Sequence, residues 1–113
     1  MPDPKPRRLL FVCRQNRKRS ATAERLFCKR ADLDVRSAGT AADALVRVNA
    51  NMLDWADVIF IMDDDQRLWL ESTFKGHPSL ERVICLEIPD IFAFLQPELI
   101  QLLEKRVARH LDA

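Results

Sequence analysis

Two uninterrupted apolar runs, Leu9-Leu10-Phe11-Val12 and Val58-Ile59-Phe60-Ile61-Met62, limit what this chain can fold into. A strand with one wet face alternates apolar and polar residues, because successive side chains point to opposite sides. These runs have no polar face, so both read as strands buried on two sides, as in a parallel sheet covered by helices. Leu33–Ser37, running into the turn Ala38-Gly39-Thr40, and Arg82–Ile88 read as two further strands. The intervening stretches carry helical spacing. Residues 20–31 place Ala23, Leu26, Phe27 and Ala31 on one side, with Ser20 as N-cap. Leu45, Val48, Met52 and Trp55 line a second helix. A third starts near Asp63–Asp65 and is broken by Lys75-Gly76-His77-Pro78. Pro97 suits the first turn of a last helix with Ile100, Leu103, Val107 and Leu111 as its apolar stripe. The order β-α-β-α-β-α-β-α predicts an α/β fold with helices on both faces of a parallel sheet.

A length of 113 residues fits one domain, expected over residues 8–113 behind a flexible tail at residues 1–7 that is rich in proline. No apolar run approaches the ~20 residues that cross a bilayer, and no apolar signal core follows the N-terminus, so no membrane association is expected. Three cysteines without paired spacing argue against a disulfide framework and for the cytoplasm. The net charge of +1 hides an asymmetry: residues 1–40 carry eleven Lys/Arg against four Asp/Glu, and residues 41–113 carry seven against thirteen. The basic half therefore either faces an anion or pairs with the acidic half.

The densest positive segment is Cys13-Arg14-Gln15-Asn16-Arg17-Lys18-Arg19-Ser20, between the first strand and the first helix. A loop entering a helix can turn several backbone N–H groups inward, and the helix N-terminus adds partial positive charge. Such a concavity suits a phosphate dianion beside a thiolate. Arg19 can hold two phosphate oxygens with parallel hydrogen bonds, as a lysine cannot. In open α/β sheets the ligand site lies beyond the carboxyl ends of the strands, and Cys13 follows strand one directly.

Phe11-Val12-Cys13, Asn16, Arg19-Ser20 and Ala23-Glu24 resemble the phosphate loop and following helix of the low-molecular-weight protein tyrosine phosphatases. Ser37-Ala38-Gly39-Thr40, Ala56-Asp57-Val58-Ile59 with Met62-Asp63, and Ile88-Pro89-Asp90 resemble later segments of that family, in its order. The likeness runs over nearly the whole chain, which in particular looks like a short bacterial branch of predicted tyrosine phosphatases. It implies a three-layer fold whose four-stranded parallel sheet has the order 2-1-3-4. It implies a cysteine-dependent phosphatase that hydrolyses a phosphomonoester, protein phosphotyrosine in the first instance, through a phosphocysteine. Cys13 is then the nucleophile, Arg19 the clamp and Asp90 the general acid. Residues Arg14, Gln15, Asn16, Arg17, Lys18, Arg19 and Ser20 form the phosphate cradle, with a phosphate or sulfate ion as its simplest ligand. Ser20 donates to the Cys13 sulfur, Asn16 braces the loop with Ser37, and Phe92 forms an aromatic wall. Neither a metal nor an organic cofactor is implied, and the expected state is a monomer or weak dimer.

The chain also departs from that family's pattern. Gln15 stands where the family has glycine, a position at which a positive φ would strain glutamine. Lys18 replaces a loop cysteine, Ile91 replaces a proline after the acid, the stretch after Thr40 is short, and tyrosine is absent. These departures keep open a second reading, an oxyanion-binding module without efficient turnover. Arsenate reduction is disfavoured, since Cys28 and Cys85 read as packing residues rather than a relay pair. His77 and His110 read as structural, and Asp63–Asp65 as charge at a helix start rather than a metal site. Arg14, Arg17 and Lys18 form either a solvated rim or a lure for a polyanion, a highly phosphorylated ligand before nucleic acid.

Overall fold

The computed structural model describes residues 5–111. The expected tail lies outside them for residues 1–4, and Arg7 already belongs to a strand. Nine elements follow in order: β1 Arg7–Cys13, α1 Arg19–Phe27, β2 Leu33–Gly39, α2 Ala50–Trp55, β3 Val58–Ile61, α3 Asp64–Thr73, a 3-10 turn Pro78–Arg82, β4 Val83–Cys85 and α4 Pro97–Leu111. The four strands form one sheet in the order β2-β1-β3-β4, all parallel. β1 is central, with Leu9 opposite Val35 on one side and Val58 on the other.

Alternation along β1 and β3 divides the core in two. Leu9, Phe11, Val58, Phe60 and Met62 face Ala23 and Phe27 of α1 and Leu99, Leu103 and Val107 of α4. Leu10, Val12, Ile59 and Ile61 face Leu53 of α2 and Leu70 of α3. Each fully buried large side chain of this kind contributes roughly 1.5–3 kcal/mol, so both helical layers are anchored by the same two apolar runs. Phe11 stacks between Phe27 and Phe60, with ring centroids 5.7 and 5.2 Å apart. No helix among the described residues is long and apolar enough to cross a membrane.

Several local expectations are corrected. The first helix stops at Phe27, leaving Ala31 in an exposed loop. The second helix starts only at Ala50, where the Asn49 side chain accepts from the Met52 N–H. The segment before it, including the exposed Leu45, spends its backbone hydrogen bonds on the loop after β1 and on Gly39. Strand β4 ends at Cys85 because Glu87 adopts a φ of 55°, although Leu86 and Ile88 still donate to Ile61 and Met62. Arg106 holds that kink by donating to the Leu86 and Glu87 carbonyls. The stripe of α4 centres on Leu99, Leu103 and Val107, and Ile100 is only half-buried. Cys28 is exposed at the end of α1 and so is not a packing residue.

Candidate active site

The loop after β1 is positioned by its carbonyls. Cys13, Arg14 and Gln15 accept from the N–H groups of Thr40, Ala41 and Leu45, at 3.1, 2.8 and 3.1 Å. With its acceptors turned to that segment, the loop's donors are left over. Among the described residues, the N–H groups of Arg14, Gln15, Arg17 and Lys18 have no protein acceptor. Asn16 reverses the chain at a φ of 59°. That left-handed residue is Asn16 rather than Gln15, and asparagine tolerates the conformation, so the strain expected of glutamine does not arise.

Helix α1 follows at once, with no side-chain cap and no acid in its first turn. Ser20 is not the N-cap: Lys18 occupies that position, and Ser20 lies within the helix, its hydroxyl serving the sulfur. The orphan N–H groups of the first turn and the helix macrodipole thus adjoin the free donors of the loop.

Cys13 Sγ is buried and lies 2.9 Å from Ser20 Oγ, and it accepts from the Asn16 N–H at 3.2 Å. Asn16 Nδ2 donates both to Ser20 Oγ at 2.9 Å and to Ser37 Oγ at 2.8 Å. Ser37 in turn donates to Glu24 Oε1 at 3.0 Å. The carboxylate accepts only, so it orders the whole chain of donors. With one lone pair filled by Asn16, the Ser20 hydroxyl has its proton free for Cys13 Sγ or, at 3.3 Å, the Ala38 carbonyl.

Arg19 is almost wholly buried, its side chain 3% exposed. Its Nη1 donates to Asp63 Oδ2 and to the Ile88 carbonyl, both at 2.8 Å. The guanidinium is thereby held from behind, and Nε and Nη2 have no hydrogen bond to a described residue. Asp90 Oδ1 lies 3.8 Å from that Nε, on a side chain 51% exposed. Cys13, Arg14, Gln15, Arg17, Lys18, Arg19 and Asp90 line one pocket of about 230 Å³ that opens to solvent. Asn16, Ser20 and Ser37 lie behind it as the network on the sulfur. Phe92 is not a wall of this pocket; it packs half-buried onto the core on the α1–α4 side.

Four further residues hold the site, although the sequence reading gave them no role in it. Asp63 caps α3 and fixes Arg19 at the same time. Glu24 ends the donor chain. Thr22 Oγ1 accepts from the Leu95 N–H at 3.0 Å, tying the loop that carries Asp90 to α1. Gly39 lies under the cradle: a Cβ there would meet the Arg14 carbonyl oxygen at 2.6 Å and the Asn16 nitrogen at 2.9 Å. The turn Ala38-Gly39-Thr40 was the available signal for Gly39. The i,i+3 spacing of Asp63 and Gln66 was the signal for a capping box. All three cysteines are free, and burial pushes the Cys85 thiol up, keeping it protonated.

A parallel sheet in the order 2-1-3-4 with a Cys-to-Arg loop leading from strand one into helix one defines the low-molecular-weight phosphatase fold. Solved structures share it along almost the entire chain. The YwlE arginine phosphatase from Geobacillus stearothermophilus superposes with a TM-score of 0.72 at 21% identity, covering 95% of this chain and 94% of its own. The low-molecular-weight protein tyrosine phosphatase SP-PTP from Streptococcus pyogenes gives 0.77 at 17% identity, covering 94% and 91%. The tyrosine phosphatase Wzb from Escherichia coli K30, in complex with phosphate, gives 0.72 at 18% identity, covering 91% and 94%. No protein-family model and no curated protein sequence matches the chain.

Proposed function

We propose that this chain is a cysteine-dependent phosphomonoesterase acting through a phosphocysteine intermediate. The observation that carries the reading is one pocket lined by a hydrogen-bonded buried sulfur, a guanidinium held from behind and a half-exposed carboxylate, floored by unpaired N–H groups. Structural neighbours support it: Wzb holds phosphate or sulfate, and a mutant YwlE carries a phosphorylated active-site serine.

On this reading the Cys13 thiolate attacks phosphorus in line. The P–S bond forms as the bond to the leaving oxygen breaks, and Asp90 gives its proton to that oxygen. Arg19, the N–H groups of Arg14, Gln15, Arg17 and Lys18 and those of the first turn of α1 hold the equatorial oxygens, where the transition state spreads its charge. The Ser20 hydroxyl and the Asn16 N–H donate to the sulfur, favouring its departure in the second step. There water attacks phosphorus, Asp90 takes its proton, and the P–S bond breaks to release phosphate and the thiolate. A free-thiol nucleophile suits a reducing compartment, and we place the enzyme in the cytoplasm.

Cys13→Ser tests this. The variant is expected to lose turnover of p-nitrophenyl phosphate while still binding inorganic phosphate by calorimetry. Undiminished turnover in that variant sinks the reading. A burst of nitrophenol on rapid mixing with the unaltered enzyme excludes the rival, an oxyanion-binding module without turnover.

A further inference from the structure

We propose that the substrate is a compact molecule with two phosphate groups on neighbouring atoms, one held in the cradle and the other by Arg14 and Lys18 at its rim. The proposal deepens the phosphatase reading and rests on it for turnover, but its binding half can be tested separately. Four cationic side chains line the pocket, and they fall into two sets. Arg19 is buried and aimed by Asp63 and the Ile88 carbonyl. Arg14, Arg17 and Lys18 are exposed. Arg17 is drawn aside, its Nη2 donating to the Asp43 carbonyl at 3.4 Å. The side chains of Arg14 and Lys18 make no hydrogen bond or ion pair with a described residue. Two unpaired cations therefore flank a cradle whose own charge complement is already supplied by Arg19, the loop N–H groups and the start of α1.

The lining also indicates what would gain no contact beyond the cradle. It contains no aromatic and no aliphatic side chain that could receive the ring of an aryl phosphate. Phe92 is packed into the core, and Phe94 lines a different cleft with Arg25, Cys28 and Val35. An acidic phosphopeptide matches the rim less well. A phosphotyrosine holds its phosphate a ring's length from the backbone, and neighbouring side chains on an extended peptide point to opposite faces. Arg14 and Lys18 stem from the cradle itself, so their anion must lie within a side chain's reach of the first phosphate. A vicinal bisphosphate meets that requirement, and charge-assisted hydrogen bonds to its second group add affinity that a monophosphate cannot gain.

The test compares a matched pair, the 1,2-bisphosphate and the 1-monophosphate of propane-1,2-diol, at low salt. The unaltered enzyme should show a kcat/KM at least ~10-fold higher for the bisphosphate, carried by KM, as one charge-assisted contact predicts. In the Arg14→Gln, Lys18→Gln double variant the ratio should fall toward one, and Arg14→Lys should retain most of it. Equal constants for the pair in the unaltered enzyme overturn the proposal. So does faster turnover of an aspartate-flanked phosphotyrosine peptide, or of a 5′-phosphorylated oligonucleotide, than of the bisphosphate. If the enzyme turns over none of these, calorimetry decides. Tighter binding of the bisphosphate than of inorganic phosphate, lost in the double variant, supports the rim and sinks only the phosphatase reading. Equal binding sinks the rim.

Discussion

The two loops that meet at the pocket are built differently. The loop from Cys13 to Ser20 has the carbonyls of Cys13, Arg14 and Gln15 taken by residues 40–45, its interior filled by the Asn16, Ser20 and Ser37 network, and Arg19 buried. The loop that carries Asp90 is held at fewer points: Ile88 on Met62 and Arg19, Phe92 against the core, Leu95 on Thr22, and a turn in which Gln96 Oε1 accepts from the Ala93 N–H. Ile91 is 74% exposed, Phe94 46%, and Leu95 takes a left-handed φ of 61°. The half that would hold an anion is built in advance, and the half that would move a proton is left loose. Preorganised donors stabilise a transition state because they need not reorganise, whereas a general acid must serve a leaving group and then a water.

Four substitutions break or sharpen that contrast. Asp90→Asn should lower kcat by ~10²–10⁴ with phosphate affinity unchanged by calorimetry, since it removes only the proton carrier. An equal loss of affinity would mean that the two loops work as one. Gly39→Ala should do the reverse, forcing the Arg14 carbonyl and Asn16 nitrogen away and costing ~1–3 kcal/mol of stability in urea unfolding, with phosphate binding lost. Thr22→Val frees the Leu95 N–H, and kcat should fall ~3–10-fold, about one hydrogen bond's worth, at constant phosphate affinity.

The smallest effect lies at the far end of the sheet and serves as the control. The Arg8 side chain and N–H hold the Asp57 carboxyl below its usual value. A depressed folded-state value contributes stability above the unfolded pKa of ~3.9, lost as pH falls through the lower folded one. Both side chains are more than a third exposed, so screening limits the pair to under ~1 kcal/mol. Asp57→Asn should shift the urea midpoint slightly at pH 7, converge with the parent protein in strong acid, and leave turnover untouched.

The sheet was legible because its signal is local: two apolar runs too long for a half-wet strand, each followed by helical spacing. The loop residues that line the pocket were legible too, since strand, loop and helix follow one another in sequence, whereas Asp90 was reached only through the family resemblance. What failed depended on distant partners. Leu45 to Trp55 has helical spacing, but residues 41–46 give up a helix to satisfy carbonyls of the Cys13 loop, which no local pattern encodes. Ser20 has the chemistry of a cap, yet the sulfur and the Asn16 amide claim its hydroxyl. Phe92 is near Asp90 in sequence, but α1 and α4 leave a place for its ring in the core. Asp63 follows β3, and Glu24 reaches the sulfur's network through Ser37 of β2, so both belong to the site only because parallel pairing brings β3 and β2 beside β1.

Helix α1 begins with neither a capping side chain nor a carboxylate in its first turn. If its orphan donors are completed by a captured anion, then occupancy and folding draw on a single free energy. Ligand at a hundred times its dissociation constant would add ~2.7 kcal/mol to the native state by mass action. The ambient level of free phosphate would then act twice, as a competitor for the substrate and as the missing last piece of the protein's own architecture.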